Sequence, residues 1–501
     1  MNVDEVKESA ELIPPGFVLA AGTGRADPSF LRYRDERVAH WDAVADWMTQ
    51  HPARGGAYRR RLVEVYRYFV PAGARVLEIG CAQGDLLAAL RPARGVGVDF
   101  SARMIARARA KHPDLRFVHA DAHALDLEAE PFDFIILSDV ANDLWDVQAV
   151  CQQLARFADS RTRVVLNFSN RLWRWPLTAA RRLGLARPNL RQSWLTVADL
   201  TMLLDLAGFE VIRHRREALL PLPLGPVAKF ANRYAARFWP ASALTATHFL
   251  VARPVKQEPP TREPVVSVII PARDEAGNIA DIFARMPEMG AGTEMVFVEG
   301  GSRDNTYGTV EQLIAAHPER RCQLHRQKGR GKVDAVRLGF ERARGDVLMI
   351  FDADLTVPPE DMPRLLEMLT TGRADFVNPT RLVYPMEGEA MRFFNLVGNK
   401  FFGLVFSWLL ERPFKDVLCG TKVLWRADYE RIAANRHYFG DFDPFGEFDL
   451  LFGAAKLNLK IEDVPVRHRR RHYGTTKIPR WRGGVMLLRM AASAARRIKF
   501  I

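Results

Sequence analysis

From residue 75 to residue 253, short apolar runs bounded by turn residues alternate with amphipathic stretches, the pattern of strands buried on both faces with helices packed over them. The runs predict strands starting at Arg75 and over 95–99, 115–118, 132–137, 163–168, 209–212 and 248–251, with helices over 102–111 and 147–157. A second series opens at Val265, with strands predicted over 265–270, 294–298 and 347–351 and a helix over 333–342. Between the two series, residues 251–264 carry charged side chains and four prolines, which reads as a linker. The expected organisation is α/β with two domains, 1–253 and 265–501, joined by 254–264. Ahead of the first series, Phe30, Tyr33, Trp41, Trp47, Tyr58 and Tyr66 fall at helical spacing among charged residues. They predict helices covering a sheet edge, with no chemistry visible in them.

A chain of 501 residues is too long for one ordinary core, in keeping with that division. Cys81, Cys151, Cys322 and Cys419 are scattered without a CxxC spacing, which argues against a disulfide framework or a zinc site and suits a reducing cytoplasm. The opening MNVDEVKESAELIPP has no apolar core, so no signal peptide is expected. Formal net charge is +13, and residues 467–501 contain no Asp or Glu. That tail is a candidate surface for phosphates, anionic lipid or nucleic acid, with a solvated basic helix as the plain alternative.

Two apolar segments bear on membranes. Residues 392–410 are interrupted by Asn395, Asn399 and Lys400, and the run from Phe401 to Leu410 is shorter than the ~20 apolar residues of a spanning helix. The segment is expected to be interfacial, with a buried core helix as the competing reading. The stretch 483–501 mixes Leu, Met and Ala with Arg489, Arg496, Arg497 and Lys499, a basic amphipathic helix suited to anionic lipid. An insertion over 170–240 interleaves aromatics and cations, at 172–177 and 229–239. It suits either a membrane interface or a lid that selects a substrate.

Candidate chemistry lies where strands end. The run 347–351 leads into Asp352 and Asp354, two hard oxygen ligands one residue apart where open α/β sheets gather their ligands. Such a pair suits Mg²⁺ or Mn²⁺ shared with substrate phosphate. In the first series, Glu78, Gly80 and Gly84 form a strand–glycine turn–helix, Asp99 ends the second strand at the spacing of a ribose contact, and Asp121 follows the third. His119, Asp139 and Asp143 lie near strand ends, but each reads more readily as structural than as a base.

With Glu78, Gly80, Gly84, Asp99, Asp121 and FDFIILSDV at 132–140 in order, residues 30–253 resemble a class I S-adenosylmethionine-dependent methyltransferase, a Rossmann-like fold. The resemblance implies that 78–84 line the methionine part of S-adenosylmethionine, that Asp99 binds the ribose hydroxyls and that Asp121 lies near the adenine. Ala82 stands where the family commonly has glycine, and its methyl is expected to crowd the cofactor.

Residues 264–480 resemble a family-2 glycosyltransferase of the GT-A fold, most closely the dolichyl- or polyprenyl-phosphate sugar synthases. The motifs are Pro271-Ala-Arg273-Asp-Glu275, Glu299-Gly-Gly-Ser302-Arg-Asp304, Lys328-Gly-Arg-Gly-Lys332 and Asp352-Ala-Asp354. The resemblance implies that Pro271, Arg273, Glu275 and Glu299 cradle the nucleotide of a sugar-nucleotide donor, Glu299 being one methylene longer than the family's usual Asp. Lys332 would neutralise donor phosphate and Asp352 and Asp354 would hold the metal. Arg381 would hold the acceptor phosphate, and Asp416 would organise the sugar or attacking group. If the acceptor is a sugar hydroxyl, Glu447 or Asp449 would serve as base. His468–Arg471, His472, Gly474 and Lys477 resemble the family's late basic loop over the diphosphate.

The expectation is a bifunctional, inverting glycosyltransferase and methyltransferase in glycan or glycolipid assembly, peripheral on the cytoplasmic face of an anionic membrane. Its partners are a nucleotide-sugar donor and a lipid-phosphate or glycan acceptor. The alternatives are transfer to a sugar hydroxyl and a first domain acting as a non-catalytic cofactor-binding scaffold. Nucleic acid is disfavoured, because a basic tail beside a carboxylate metal site and an apolar segment fits lipid phosphate better.

Overall fold

The computed structural model describes residues 28–51, 55–184, 186–255, 262–329, 331–384, 393–436, 447–471, 473 and 480–501. The readings made on residues 1–15, on most of the linker, and on His472, Gly474 and Lys477 lie outside these. The chain divides into two compact units between Val255 and Lys256.

In the first unit the strands are β1 (Arg75–Ile79), β2 (Arg94–Asp99), β3 (Arg116–His119), β4 (Phe134–Ser138), β5 (Arg163–Ser169), β6 (Phe209–Glu217) and β7 (Thr247–Pro254). They form one sheet in the order β3-β2-β1-β4-β5-β7-β6, with β7 antiparallel to both neighbours. The order reverses direction at β1, which lies between β2 and β4, and ligands gather at such a switch point, beyond the carboxyl ends of the strands.

β6 runs well past its predicted end at 212. Its extension reads as polar, yet Arg213 and Arg215 are buried, Arg213 donating to the Tyr68 hydroxyl at 3.0 Å. Arg215 meets Glu217 at 2.6 Å, and Glu217 also pairs with Arg61 at 2.8 Å and Arg237 at 2.7 Å, all nearly without exposure. A buried carboxylate is tolerated there because three guanidiniums surround it. The network ties the helix Gly56–Phe69 and the insertion to the sheet.

That helix does not cover a sheet edge. Tyr66 donates to Asn167 Oδ1 at 2.8 Å, and Tyr66 and Phe69 pack on Phe249, which places the helix across the face of the inner strands β5 and β7. The preceding helix, Pro28–Gln50, packs Val44 and Ala45 against Met104 of the helix Ala102–Lys111.

The second unit contains β8 (Val266–Ala272), β9 (Thr293–Glu299), β10 (Arg321–Arg326), β11 (Val347–Ile350), β12 (Phe376–Thr380), β13 (Val423–Trp425) and β14 (Ile461–Pro465). Their order is β10-β9-β8-β11-β13-β12-β14, with β13 antiparallel to β11 and β12. β11 is fully buried beside β8, and Asp352 follows directly beyond it and Phe351.

The segment expected to be interfacial is a helix, Phe393–Leu410, with two faces. Phe402, Phe406, Leu409 and Leu410 are buried, whereas Val397, Phe401 and Leu404 are exposed at i, i+4 and i+7. The tail helix Arg480–Ala494 is docked, burying Leu487, Met490, Ala491 and Ala494. Lys499 is also buried and meets Glu411 at 3.1 Å, so it is not a lipid contact, while Arg489 and Arg496 stay exposed. Among the described residues no helix is long and apolar enough to cross a membrane.

The three guanidiniums hold the Glu217 carboxyl down at about 2 against the cost of burial. Glu217→Gln should cost the first unit about 3–5 kcal/mol in denaturant unfolding, since it leaves the arginines uncompensated. The wild-type contribution should be full above the ordinary glutamate range and vanish as pH falls towards 2, a dependence the variant lacks.

Candidate functional site

Each unit gathers its candidate residues at the carboxyl ends of its central strands. In the first, a cavity of about 220 Å³ is lined by the turn after β1, by Asp99 and Phe100 after β2, by Asp121–His123 after β3 and by Ser138–Val140 after β4. Gly80 and Gly84 have φ of 70° and 75°, the left-handed region in which glycine avoids a Cβ penalty. A Cβ on Gly80 would also stand 2.3 Å from Val140.

Asp99 is buried and accepts the Ala82 N–H at 2.8 Å and the Ser101 N–H at 2.9 Å. Burial raises its carboxyl to about 6, with those two N–H groups opposing the rise. Ala82 takes φ of 47°, and its methyl packs with Trp41 and Met48 around the Val44–Met104 cluster. Burial pushes the Glu78 carboxyl well above its usual range, and its Oε2 has no hydrogen-bond partner among the described residues. Asp121 accepts from the His123 backbone N–H at 2.9 Å and contacts its ring at 2.6 Å; these contacts outweigh burial and lower its carboxyl.

Among the three base candidates, His119 is exposed on the Phe100 carbonyl at 2.9 Å. Asp143 accepts from Trp41 Nε1 at 2.8 Å and Arg37 Nε at 3.1 Å, a structural use. Asp139 lies on the cavity with φ of 57°, accepts from the Tyr58 hydroxyl at 3.0 Å and Asn167 Nδ2 at 2.7 Å, and is raised by burial. The helices read as featureless supply much of the wall, including Tyr33, Trp41 and Arg59, and the insertion adds Arg187. Their interleaved aromatics and cations were the available signal. The insertion thus contributes to the cavity wall while Trp175 and Trp239 stay 75% and 83% exposed.

In the second unit Lys332, the first residue of the helix Lys332–Arg342, reaches Asp352 Oδ1 at 2.5 Å and also bonds Glu447. Arg471 bonds Asp354, which accepts from Thr356 N at 3.1 Å and Oγ1 at 2.8 Å. Burial raises Asp352; Lys332 counters this, while the neighbouring charges of Asp354 and Glu447 add to it. Asp354 is lowered because Arg471 and Thr356 outweigh burial, and Lys332 is raised because its two carboxylates outweigh burial. Gly420 closes one side, where a Cβ would fall 2.1 Å from Asp352 Oδ2. Among the described residues no cluster of three His, Cys, Asp or Glu could hold a metal. The protein offers Asp352 and Asp354, and hard carboxylates few in number suit an ion that completes its shell with phosphate and water.

Around the nucleotide positions, Pro271 is partly buried and Arg273 exposed. Glu275 is buried and accepts from Asn278 Nδ2 at 2.7 Å, while Glu299 uses its extra methylene to accept the Ser302 N–H at 2.5 Å. The late loop passes Asp354 through Arg471 and reaches Asp304 through the Tyr473 hydroxyl at 3.2 Å.

Two further carboxylates are engaged by arginines. Asp416 has no side-chain exposure and accepts from Arg381 Nε at 2.7 Å and Nη2 at 3.0 Å, from the Arg381 N–H, from Asn399 and from the Leu418 N–H. These contacts engage two side-chain nitrogens of Arg381 and hold it in place. Asp449 is buried against Arg436 at 3.0 Å and Arg337 at 3.4 Å, while Glu447 joins Asp352 through Lys332.

Residues 267–422 match the family described as Glycosyl transferase family 2, and residues 53–214 match a Methyltransferase domain. The dolichol-phosphate mannosyltransferase of Pyrococcus furiosus is 29% identical over 234 residues, covering 44% of this chain and 65% of that protein. The undecaprenyl-phosphate 4-deoxy-4-formamido-L-arabinose transferase of Shewanella sediminis is 32% identical over 111 residues, 21% of this chain and 34% of that protein. The chain thus spans between a third and two thirds of these relatives. Among solved structures, an S-adenosylmethionine-dependent methyltransferase from Mesorhizobium loti aligns at 19% identity over 38% of this chain and 96% of its own, with a TM-score of 0.30, too low to bear on function.

The Arg381 guanidinium holds Asp416 down to about 2 in spite of burial. Asp416→Asn should therefore destabilise the second unit by about 3–5 kcal/mol in chemical denaturation, the cost of a stranded buried cation. A residue acting only on substrate would leave the unfolding midpoint in place.

Proposed function

We propose that this chain, a methyltransferase domain joined to a family 2 glycosyl transferase domain, is a bifunctional enzyme of glycan or glycolipid assembly. The second unit moves a sugar from a nucleotide-sugar to a polyprenyl- or dolichyl-phosphate-type lipid, and the first methylates with S-adenosylmethionine. The observation that carries the glycosyl reading is the carboxylate pair Asp352–Asp354 beyond β11, bracketed by Lys332 and Arg471.

Asp352 and Asp354 would hold Mg²⁺ or Mn²⁺, whose charge would offset that of the departing nucleotide diphosphate. Lys332 and Arg471, released from the carboxylates, are placed to bind phosphate oxygens. Arg273, exposed after β8, and the turn at Glu299 face the nucleotide. Arg381, oriented by Asp416, offers its remaining nitrogen to the acceptor. A lipid phosphate is already an anion and needs no strong base. A sugar-hydroxyl acceptor would need Glu447 or Asp449 as base, and in this structure Glu447 is bonded to Lys332 and Asp449 to Arg436 and Arg337.

S-Adenosylmethionine supplies an electrophilic methyl group. The unpartnered Glu78 Oε2 fits the ammonium of its methionine part, and Asp99, with lone pairs left beside its two backbone contacts, fits the ribose hydroxyls. Asp121 would lie near the adenine. These features favour cofactor binding over a vestigial domain. The exposed Val397, Phe401 and Leu404 beside Arg489 and Arg496, and the exposed Trp175 and Trp239, support peripheral association with an anionic membrane on its cytoplasmic face.

Nucleotide release from a panel of sugar nucleotides with Mn²⁺ or Mg²⁺ should require a polyprenyl phosphate and fall about a hundredfold or more in Asp354→Ala, as for loss of a main electrostatic contact. Release that depends on a sugar-hydroxyl acceptor and on Glu447 would replace the lipid reading. In the first unit, Asp99 must be ionised to accept from both ribose hydroxyls. Its elevated carboxyl predicts that S-adenosylmethionine affinity, measured by calorimetry, holds above pH 7 and declines as pH falls through about 6. The decline should approach about tenfold per unit and be flattened in Asp99→Asn.

A further inference from the structure

Arg187 lines the cavity of the first unit and makes no hydrogen bond or ion pair among the described residues. Its guanidinium carbon stands 4.6 Å from the centre of the Trp41 ring, a cation–π contact that fixes its position without neutralising it. The side chain keeps some accessible area yet is surrounded by protein, the combination expected of a group facing an internal cavity. Burial pushes it below the ordinary guanidinium range; Asp139 opposes this, while Arg59 and Arg181 add to it. A largely enclosed arginine whose neighbouring carboxylates, Asp139 and Asp143, are matched by two further cations, Arg59 and Arg181, is left without net compensation, and substrates containing carboxylate or phosphate are what a guanidinium fork recognises best.

Building on the methyltransferase reading, we infer that the methyl acceptor carries an anionic oxygen group, a carboxylate or a phosphate, that docks on Arg187. The cofactor's own carboxylate is the competing anion, and two observations place Arg187 with the acceptor instead. It belongs to the insertion after β5, outside the strand ends that frame the cofactor turn. The carboxylates acting on it are Asp139 and Asp143, both beyond β4, whereas Asp99 and Asp121, which face the nucleoside end, do not figure among the charges that dominate its environment. Asp139, in the left-handed region and held by Tyr58 and Asn167, stands on the same side, and sparsely populated backbone of this kind clusters at working sites. The cavity end is thus built for an anion gripped by arginine next to an anchored carboxylate.

The test uses the full chain and Arg187→Gln. S-Adenosylhomocysteine is titrated calorimetrically into both. Glucuronate, glucose 6-phosphate and uncharged glucose are then titrated with and without it, followed by saturation-transfer NMR and tryptophan emission. Expected are homocysteine-nucleoside affinities within about threefold of each other, at least about tenfold weaker binding of an anionic sugar to the variant, and no Arg187-dependent glucose signal, for loss of one charge-assisted contact. A thermal midpoint at or above wild type should accompany this, since the arginine has no ion pair to lose. Binding of glucuronate alone would assign a carboxylate acceptor, and of glucose 6-phosphate alone a phosphate-bearing one. Equal anion binding by both proteins, or none by wild type, overturns the inference, as does a tenfold loss of S-adenosylhomocysteine affinity, which would make Arg187 the cofactor's ligand. A lowered thermal midpoint with unchanged anion binding would make it structural. Wild type that binds no S-adenosylhomocysteine removes the methyltransferase reading itself, and the cofactor-free titrations still decide whether Arg187 holds an anion.

Discussion

Two carboxylates one residue apart beyond a buried strand repel each other, and burial favours neither charge. Asp352 and Asp354 satisfy this constraint with separate cations, Lys332 for one and Arg471 for the other, and much of the second unit follows from it. Lys332 must be the first residue of its helix to reach the strand end, Arg471 draws the late loop across the same opening, and residue 420 must lack a Cβ to leave room. The residues that neutralise the pair are the ones a diphosphate would claim once a divalent ion took their place. On the proposed function, the same four residues would supply both halves of the chemistry, carboxylate for metal and cation for phosphate.

The first unit meets burial of charge in two ways. Glu217 is overcompensated by three guanidiniums and serves the fold, as its depressed carboxyl shows. Glu78, with an oxygen that has no hydrogen-bond partner among the described residues, and Arg187, with no ion pair among them, lack the direct partners that Glu217 has. Since an isolated buried charge destabilises a fold, a completed salt bridge is weak evidence of function and an uncompensated charge on a cavity wall is stronger evidence. By this standard Asp416 moves to the structural side despite its position in a family motif, and Arg187 moves to the functional side despite lying in a segment with no motif.

Most of the architecture was legible in the sequence, because parallel strands buried on both faces leave continuous apolar runs and the glycine and aspartate motifs punctuate their ends. β11 and its carboxylates, and β1 with its turn, lie close to where the pattern put them. Where a strand is buried through ion pairing, as in the arginine-rich second half of β6, hydrophobicity carries no signal and the predicted end fell short. Pairings between distant polar residues were likewise invisible. Arg381 and Asp416 lie 35 residues apart, and nothing in either motif says that they bind each other and not the substrate. The wall of the first cavity was missed for a related reason: helices upstream of a motif read as cover until their arginines and aromatics are seen to turn inward.

The same limit applies to the basic tail, whose charge alone suggested a lipid-binding surface. A cation in sequence can be a counter-ion, a ligand for substrate phosphate or a surface contact, and the three make opposite demands on burial. Arg471 lies on Asp354 and Lys499 is buried on Glu411, so two of the tail's cations serve the interior, whereas Arg489 and Arg496 remain outside and Val485 and Leu488 are exposed on the helix that carries Arg489. What the tail can offer a membrane is therefore not its whole amphipathic moment. In the proposed membrane contact, Val485 and Leu488 would give the tail's share of apolar surface and the exposed stripe of Val397, Phe401 and Leu404 on the helix Phe393–Leu410 would add to it. Such a contact would draw on both helices, and neither would have to surrender its buried face to bind.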